Sequence, residues 1–251
     1  MKCVVINLER AHDRRERIAH QFNTLGIEFE FFIGIDGHQL PDEEYFHFGD
    51  QHSGLINWKH PNVPGMLGAW TSHTQVWRNA LSVGLDMVAV FEDDVTLAPK
   101  VGQVLTAVEV AVENGLMFDI VFMDNRRPYR SFVSIADIDH EFSIGLIRHG
   151  NIGASGYIIT RTAMQQLLKK FPRMPVAVDQ LMHAGWKSGL QTFTLSPQIV
   201  FHGLRFVDHG SYVCSPIRMK RTWRQKFLYF FEFSVPKRVS FYRRANGFKH
   251  T

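Results

Sequence analysis

Three consecutive acidic residues close a short apolar run in the middle of the chain. The run extends from Val88 to Phe91, and Glu92, Asp93 and Asp94 follow it directly. Because the run has the length and composition of a buried β-strand, it predicts carboxylates at the carboxyl edge of a sheet, where open α/β sheets bind ligands. Clustered carboxylates repel one another unless a cation neutralises them, and hard oxygen ligands suit magnesium or manganese. The segment therefore predicts a site for a divalent metal ion that bridges the phosphates of a diphosphate ligand. A solvated acidic turn or a helix N-cap is the alternative.

A segment with two glycines that ends in a histidine is the second candidate for chemistry. Gly65 and Gly68 would allow the backbone to approach a ligand closely, and a helix beginning there would favour an anion at its N-terminus. Ser72 and His73 follow on that predicted helix. An ordinary loop-to-helix junction and a structural histidine explain the same residues, so both interpretations stay open.

The elements that would position these groups alternate between strand and helix along the chain. Such alternation predicts βαβ units, a mostly parallel sheet and the α/β fold class. Residues 37–64 are polar and irregular and are predicted to form a long loop, a kind of segment that is usually functional or disordered. The predicted strands are 2–8, 29–35, 87–91, 119–123 and 156–160, and the predicted helices are about 11–25, 68–83, 101–114, 161–168 and 178–187.

Length and composition predict one large α/β domain with a sizeable core. The chain has 251 residues, of which 45% are hydrophobic. Cys3 and Cys214 are too far apart to suggest a disulfide framework or a zinc cluster, and Cys3 lies in an apolar run that predicts a buried thiol in a reducing compartment. The first ten residues do not resemble a signal peptide, and no run of about 18 apolar residues predicts a membrane span. A cytoplasmic protein is therefore expected.

The net charge of +4 is unevenly distributed, because residues 217–251 carry ten Lys or Arg and one acid. Within this basic tail, Trp223, Phe227, Phe230 and Phe231 are spaced by three and four, which predicts an apolar helical stripe. Basic residues beside buried aromatics suit an anionic membrane surface, so residues 217–244 are predicted to bind one. Packing of the stripe onto the body is an alternative. Nucleic acid is a further rival partner, but it is not expected.

Five segments, in order between about residues 2 and 215, resemble glycosyltransferase family 25. That family includes bacterial enzymes that build lipooligosaccharide and animal collagen galactosyltransferases. The family usually has Gly-Cys, a variable residue and Leu-Ser-His at the third segment, and this chain keeps the Ser-His. The five segments are Val5–Arg10 with Asp13–Arg15, Phe32–Gly37, Gly68–His73, Phe91–Asp94 and Gly153–Tyr157.

The resemblance implies a GT-A type nucleotide-sugar transferase domain over residues 1–215. The basic amphipathic tail, inferred from composition, then occupies residues 216–251. The resemblance also implies inversion at the anomeric carbon and a metal held by Asp94 with Asp93 or Glu92. An inverting transfer needs a carboxylate that deprotonates the acceptor hydroxyl. Asp179, an acid that opens a late helix, is the candidate for this catalytic base, with a simple N-cap as the alternative.

The resemblance further implies which residues surround the donor. We expect a nucleoside pocket at the end of the first strand, with Arg14 near the phosphates, although a solvated helix face would also explain Arg10, Arg14 and Arg15. Asn125 is a candidate sugar contact, and His202 and His209 lie where type A transferases often supply a further metal ligand. The predicted donor-binding residues are Asn7, Leu8, Arg10, Arg14, Asp36, Gly68, Ser72, His73, Glu92, Asp93 and Asn125.

The expected activity is transfer of a hexose, with galactose as the family's common case, from a UDP-sugar to a lipooligosaccharide or lipopolysaccharide core. Manganese or magnesium would be the cofactor, and the inner face of the cytoplasmic membrane the location. A nucleotidyltransferase or sugar-nucleotide pyrophosphorylase is an alternative, but it would carry a glycine-rich loop with Arg and Lys where this chain has Asn7–Arg10. A non-catalytic, membrane-docked glycan-binding protein is the other alternative. A nucleic-acid-binding module would leave the three acids unexplained.

Overall fold

A central sheet with helices on both faces organises the protein, as seen in a computed structural model that describes residues 1–124, 132–147, 153–202 and 222–247. The strands are β1 (Lys2–Leu8), β2 (Glu30–Gly34), β3 (Met87–Glu92), β4 (Val95–Leu97), β5 (Ile120–Phe122), β6 (Phe132–Asp137), β7 (Ser143–Ile147), β8 (Gly156–Thr160), β9 (Thr192–Ser196) and β10 (Val200–His202). The helices are α1 (His12–Thr24), α2 (Asp42–Phe48), α3 (Val63–Ser82), α4 (Val101–Glu113), α5 (Arg161–Lys170), α6 (Val178–Met182), α7 (Gly185–Ser188), α8 (Trp223–Tyr229) and α9 (Val235–Gly247).

The sheet has eight strands in the order β2-β1-β3-β8-β5-β9-β7-β6. β1 pairs in parallel with both β2 and β3, and β5 pairs in parallel with β9, whereas β7 and β8 pair antiparallel with their neighbours. Within the described residues, six of the eight strands therefore point in one direction. The α/β fold class with a mostly parallel sheet, predicted from the sequence, is confirmed.

Strand alternation divides the core between the two faces of the sheet. In β1, Cys3 and Val5 face the cluster that contains Phe22 of α1, while Val4 and Ile6 pack against the cluster that contains Trp77 of α3. This is the period of two that a pleated strand imposes, and each fully buried large apolar side chain contributes about 1.5–3 kcal/mol. The buried thiol predicted at Cys3 is confirmed, and burial raises its pKa to about 11.

The segment 37–64, predicted to be a loop, contains α2 and a short 3-10 turn at Gln51–Ser53. Tyr45 and Phe48 on α2 pack against the core. Tertiary contacts therefore stabilise a helix that the polar local composition does not predict. α3 also begins at Val63, five residues before the predicted start, with Pro64 in its first turn. Proline suits that position because its fixed φ is helical and its missing N–H would have no partner there.

The tail forms α8, a π-helical stretch (Phe230–Ser234) and α9 without interruption. Thr222 and Gln225 form a capping box at its start. One side of this helix packs on the body, where Phe233 is buried and Trp186 Nε1 donates to the carbonyl of Glu232 at 3.2 Å. None of the described helices is long and apolar enough to cross a membrane. The predicted boundary at residue 215 lies outside the described residues.

Candidate active site

The carboxyl ends of β1, β2 and β3 meet at one edge of the sheet and place the sequence-predicted acids beside a cleft. Ile6 lies opposite Glu92 in the parallel pairing of β1 and β3, and Leu8 lies opposite Gly34 in that of β1 and β2. β4 follows the acids and pairs antiparallel with β10, with His202 opposite Val95. This pairing brings the end of a distant strand next to Asp94.

Glu92, Asp94 and His202 form a cluster in which one ligand atom of each lies within 4.8 Å of the others. The buried Oδ1 of Asp94 is 3.6 Å from Nδ1 of His202, longer than a hydrogen bond and short enough for both atoms to bind one ion. Ser155 donates a hydrogen bond of 2.9 Å to Oε2 of Glu92 and lies 3.4 Å from Nδ1 of His202. Two carboxylates and one imidazole fit manganese or magnesium, because carboxylates dominate the donor set.

Asp93 is turned away from this cluster, so Glu92 rather than Asp93 accompanies Asp94. The amide of Asn7 donates to Oδ2 of Asp93 at 2.7 Å, and Arg14 Nη1 lies 3.2 Å from its Oδ1. Burial raises the pKa of Asp93, with Glu92 adding to the effect and Asn7 and Arg14 opposing it. Asp93 therefore ties β1 and α1 to the acidic segment.

Arg14 is a buried cation at the base of the cleft. Its side chain is 6% exposed, and its Nη1 lies 3.7 Å from Oδ2 of Asp94 as well as near Asp93. Because this side chain is buried, Arg14 does not lie on a solvated helix face, and its buried charge is paired with the two carboxylates. Arg15 lies over the ring of Phe31 at 3.9 Å. The Arg14 guanidinium is thus held in a fixed position beside the carboxylates of Asp93 and Asp94.

The cleft lies at the ends of β1 and β3 and is bounded by the loop after β2 and by α1 and α3. Arg10 donates to Oδ2 of Asp36 at 2.7 Å on its rim. Burial raises the pKa of Asp36, but the hydrogen bonds from Arg10 and from the His38 N–H outweigh it and lower the pKa overall, so the carboxylate stays ionised. The predicted residues that line the cleft are Leu8, Arg10, Arg14, Asp36, Ser72, His73, Glu92, Asp93 and Asp94.

Comparison with known proteins shows the family of the chain. The family model described as "Glycosyltransferase family 25 (LPS biosynthesis protein)" matches residues 1–182. The chain belongs to glycosyltransferase family 25. It is similar to the lacto-N-neotetraose biosynthesis glycosyltransferase LgtE of Neisseria gonorrhoeae, with 31% identity over 88% of this chain and 82% of that protein. It is also 29% identical to LgtB of the same organism, over 90% of this chain and 84% of that protein.

A more distant likeness exists to a solved glycosyltransferase involved in the glycosylation of the major capsid of PBCV-1. The two are 8% identical, with a TM-score of 0.41 over 90% of this chain and 98% of that one. The α/β class with a mostly parallel sheet follows from the strand pairing and not from this likeness.

The structure places two of the predicted donor-binding residues away from the lining of the cleft, and both positions have packing causes. Because α3 begins at Val63, Gly68 lies inside the helix and not at its N-terminus, and a Cβ there would be 2.5 Å from the carbonyl oxygen of Ile35. The glycine therefore allows the helix to approach the loop after β2 and not a ligand. Asn7 is 1% exposed and does not line the cleft, since its amide is directed to Asp93.

Ser72 lines the cleft but is occupied by backbone contacts. Its hydroxyl accepts a hydrogen bond from the N–H of Ile35 at 2.8 Å and donates to the carbonyl of Gly68 at 2.7 Å. The same segment is tight at Gly37, where a Cβ would be 1.7 Å from the carbonyl oxygen of Pro64. These contacts hold the loop that carries Asp36 against α3.

Asp179 lies in the first turn of α6 and is half-buried, but it is not among the residues that line the cleft. The N-cap of α6 is Ala177, so the simple capping alternative does not describe Asp179. His183, one turn later, stacks on Phe122 with ring centroids 3.6 Å apart, and its Nε2 lies 3.0 Å from the carbonyl oxygen of Gly153. α6 thus lies beside the segment that carries Ser155. Asn125 and His209 lie outside the described residues.

Three buried residues at this edge receive no role from sequence reasoning. Ser155 and Tyr157 belong to the segment that resembles the family, yet their types do not show what they contact. Asp124 is 1% exposed at the carboxyl end of β5, where its backbone bridges to Val200 of β10. The signal that could have identified Asp124 is the one used for Glu92, an acid directly after a buried strand.

Proposed function

We propose that this family 25 enzyme transfers a hexose, most simply galactose, from a UDP-sugar to a lipooligosaccharide or lipopolysaccharide core, with inversion and with manganese or magnesium. The observation that carries the proposal is the Glu92, Asp94 and His202 cluster beside a cleft that contains a buried arginine. The printed names of the family and of LgtE and LgtB support the class of acceptor.

The residues of the cleft suit the two halves of a nucleoside diphosphate. Ionised Asp36 can accept hydrogen bonds from hydroxyl or N–H groups of the nucleoside, and Arg10 holds its orientation. Arg14 can donate to a phosphate because it is already positioned beside Asp94. Glu92, Asp94 and His202 would hold the metal, which when bound would act as a Lewis acid on the leaving diphosphate.

Inversion requires a base on the acceptor side of the sugar, and Asp179 is our candidate. Its carboxylate accepts the N–H of Gln180 at 2.7 Å, which fixes one oxygen within α6. α6 lies beside the segment that supports Glu92, because His183 contacts Gly153. A carboxylate there would take the proton of the acceptor hydroxyl as the hydroxyl oxygen bonds to the anomeric carbon.

A donor-hydrolysis screen across nucleotide-sugars, with and without manganese, tests this function. We expect UDP release from UDP-galactose to exceed that from other donors and to require the ion. Formation of a nucleoside triphosphate when pyrophosphate is added would instead identify a pyrophosphorylase. Donor binding without any release or transfer, with every acceptor tried, would support a non-catalytic glycan-binding protein and contradict our proposal.

We also propose that the tail docks this enzyme peripherally on the inner face of the cytoplasmic membrane. Trp223, Phe227, Phe230 and Phe231 are 78%, 55%, 49% and 54% exposed. The ring centroids lie 6.5 Å apart for Trp223 and Phe227, 4.6 Å for Phe227 and Phe231, and 5.3 Å for Phe230 and Phe231. Arg224 and Lys226 are exposed beside them. Contiguous exposed aromatics flanked by cations suit an anionic bilayer, while the opposite side of the helix, with Phe233, packs on the body.

Replacing Phe227, Phe230 and Phe231 together with Ser should weaken binding to anionic vesicles at least about tenfold. Burying one Phe contributes about 1.5–3 kcal/mol, so even partial insertion of three rings exceeds the 1.4 kcal/mol that a tenfold change requires. Cosedimentation with phosphatidylglycerol vesicles measures the change. Met117→Ser, at a position that is 77% exposed, removes an isolated apolar side chain and should have no effect. Equal vesicle binding by the triple variant and the wild type would contradict the proposal.

A further inference from the structure

A row of buried polar side chains connects the interior of the protein to the candidate metal ligand Glu92. Trp77 Nε1 donates to the hydroxyl of Tyr157 at 2.9 Å, and that hydroxyl lies 2.8 Å from Nδ1 of His73. The other ring nitrogen of His73, Nε2, is 3.6 Å from Oε1 of Glu92. Trp77 and Tyr157 are fully buried and His73 is 1% exposed, so water does not compete for these contacts.

The spacing of residues on α3 and the pairing of β3 with β8 bring these groups together. His73 and Trp77 are four residues apart on α3 and therefore share one face of the helix. Tyr157 lies opposite Val90 in the antiparallel pairing of β3 and β8. Val90 precedes Glu92 by two residues, so the same strand carries both the partner of Tyr157 and the carboxylate.

The donor capacities of the groups determine the direction of each hydrogen bond. An indole N–H can only donate, so the Tyr157 oxygen accepts from Trp77. Burial raises the pKa of Tyr157, which keeps its proton on the oxygen. Among the described residues, this hydroxyl contacts the polar atoms Trp77 Nε1 and His73 Nδ1, and the hydroxyl proton therefore points to His73. Neutral His73 then carries its own proton on Nε2, the nitrogen that faces Glu92.

Both oxygens of Glu92 therefore face donors from within the protein, Oε2 at hydrogen-bond distance and Oε1 at a longer electrostatic contact of 3.6 Å. Ser155 donates to Oε2 at 2.9 Å, and the Nε2–H of His73 faces Oε1. We propose that Tyr157 is a positioning residue that fixes the tautomer of His73 and, through it, holds the Glu92 carboxylate in place for the divalent cation. This inference rests on the metal site of the proposed function. Groups that orient a ligand in this way typically change metal affinity 10–100-fold when they are removed.

Tyr157→Phe tests the inference because it removes only the hydroxyl. We expect the Kd for Mn²⁺, measured on the full chain with UDP present from the EPR signal of free Mn²⁺, to rise about 10–100-fold. The affinity for UDP without metal should not change, because Tyr157 does not line the cleft. The variant also leaves the Trp77 N–H without its acceptor, so its Tm should fall. Ile159→Val, a core change on the same strand that also lowers Tm, serves as the stability control and should leave the Kd for Mn²⁺ unchanged.

A double-variant cycle with His73→Phe separates positioning from a general structural effect. If Tyr157 acts through His73, Tyr157→Phe should cause no further loss of Mn²⁺ affinity once the imidazole is absent. A further loss in that background would overturn the inference. Equal Mn²⁺ affinity in wild type and Tyr157→Phe would also overturn it while leaving the proposed function intact. Failure of the wild type to bind Mn²⁺ would overturn the metal site and this inference together.

Discussion

Replacing Asp94 with Asn should lower sugar transfer by about two to four orders of magnitude. The change keeps the volume of the side chain and removes the negative charge that lies 3.6 Å from Nδ1 of His202. A metal ion contributes several kcal/mol of transition-state charge stabilisation, and each 1.36 kcal/mol corresponds to a factor of ten in rate. Release of UDP from UDP-galactose measures the rate, and EPR of free Mn²⁺ should show weaker binding.

A matched control for this change lies at the other end of the same strand. Asp86 precedes β3 and pairs with Arg161 on the surface, so Asp86→Asn alters a carboxylate at the opposite edge of the sheet. It should leave transfer and Mn²⁺ binding unchanged. Full transfer activity in Asp94→Asn, or undiminished activity of the wild type in a strong chelator, would refute the metal site.

Asp179→Asn should lower the rate of the chemical step by about two to four orders of magnitude, because an amide cannot accept the proton of the acceptor hydroxyl. The affinity for the UDP-sugar should hardly change, since Asp179 does not line the cleft that we propose holds the nucleotide. Single-turnover transfer at saturating donor measures the step, and donor titration measures the affinity. A large loss of rate at unchanged donor affinity would support a base on the acceptor side.

Asp42 provides the comparison that tests a purely structural role for Asp179. Both acids lie in the first turn of a short helix, α2 for Asp42 and α6 for Asp179. If Asp179 only stabilised the start of its helix, Asp42→Asn and Asp179→Asn would cause similarly small changes in Tm and rate. Weak donor binding with normal turnover in Asp179→Asn would instead show that the base lies elsewhere.

The insertion of β8 between β3 and β5 has a direct consequence for the site. β8 runs antiparallel to both neighbours, so its start lies at the edge where β3 and β5 end. Ser155 precedes β8 and reaches Glu92, and Tyr157 follows at its second residue. A strand inserted in the parallel direction would bring its carboxyl end to this edge instead, and Gly153–Tyr157 would lie at the far edge.

The sequence by itself determined the features that depend on local pattern. The apolar run before Glu92 predicts a strand that ends at the edge of the sheet where the three acids lie, because a buried strand of that length is recognisable from local pattern alone. The alternation in β1 and the succession of strands and helices predict the α/β class for the same reason. The five family-like segments, read in order, also identified the family.

The tertiary structure decided which of the candidate side chains meet. Sequence position makes Asp93 and Glu92 equal candidates, but the hydrogen bonds from Asn7 and Arg14 turn Asp93 away from the cluster. His202 joins Asp94 only because β10 pairs with β4. In each case the deciding contact lies between residues far apart in the chain, where local periodicity carries no information.

The start of α3 and the two sides of the tail depend on packing for the same physical reason. Gly68 looks like a helix start because glycine tolerates many conformations, and only the close approach of Ile35 shows why it lies inside α3. The spacing of aromatics in the tail predicts one apolar stripe. The helix instead has two apolar sides, because Phe233 meets the ring of Trp186 on the body while Phe227 and Phe231 remain exposed. Which side is buried depends on the surface that the body presents, and that surface exists only once the chain has folded.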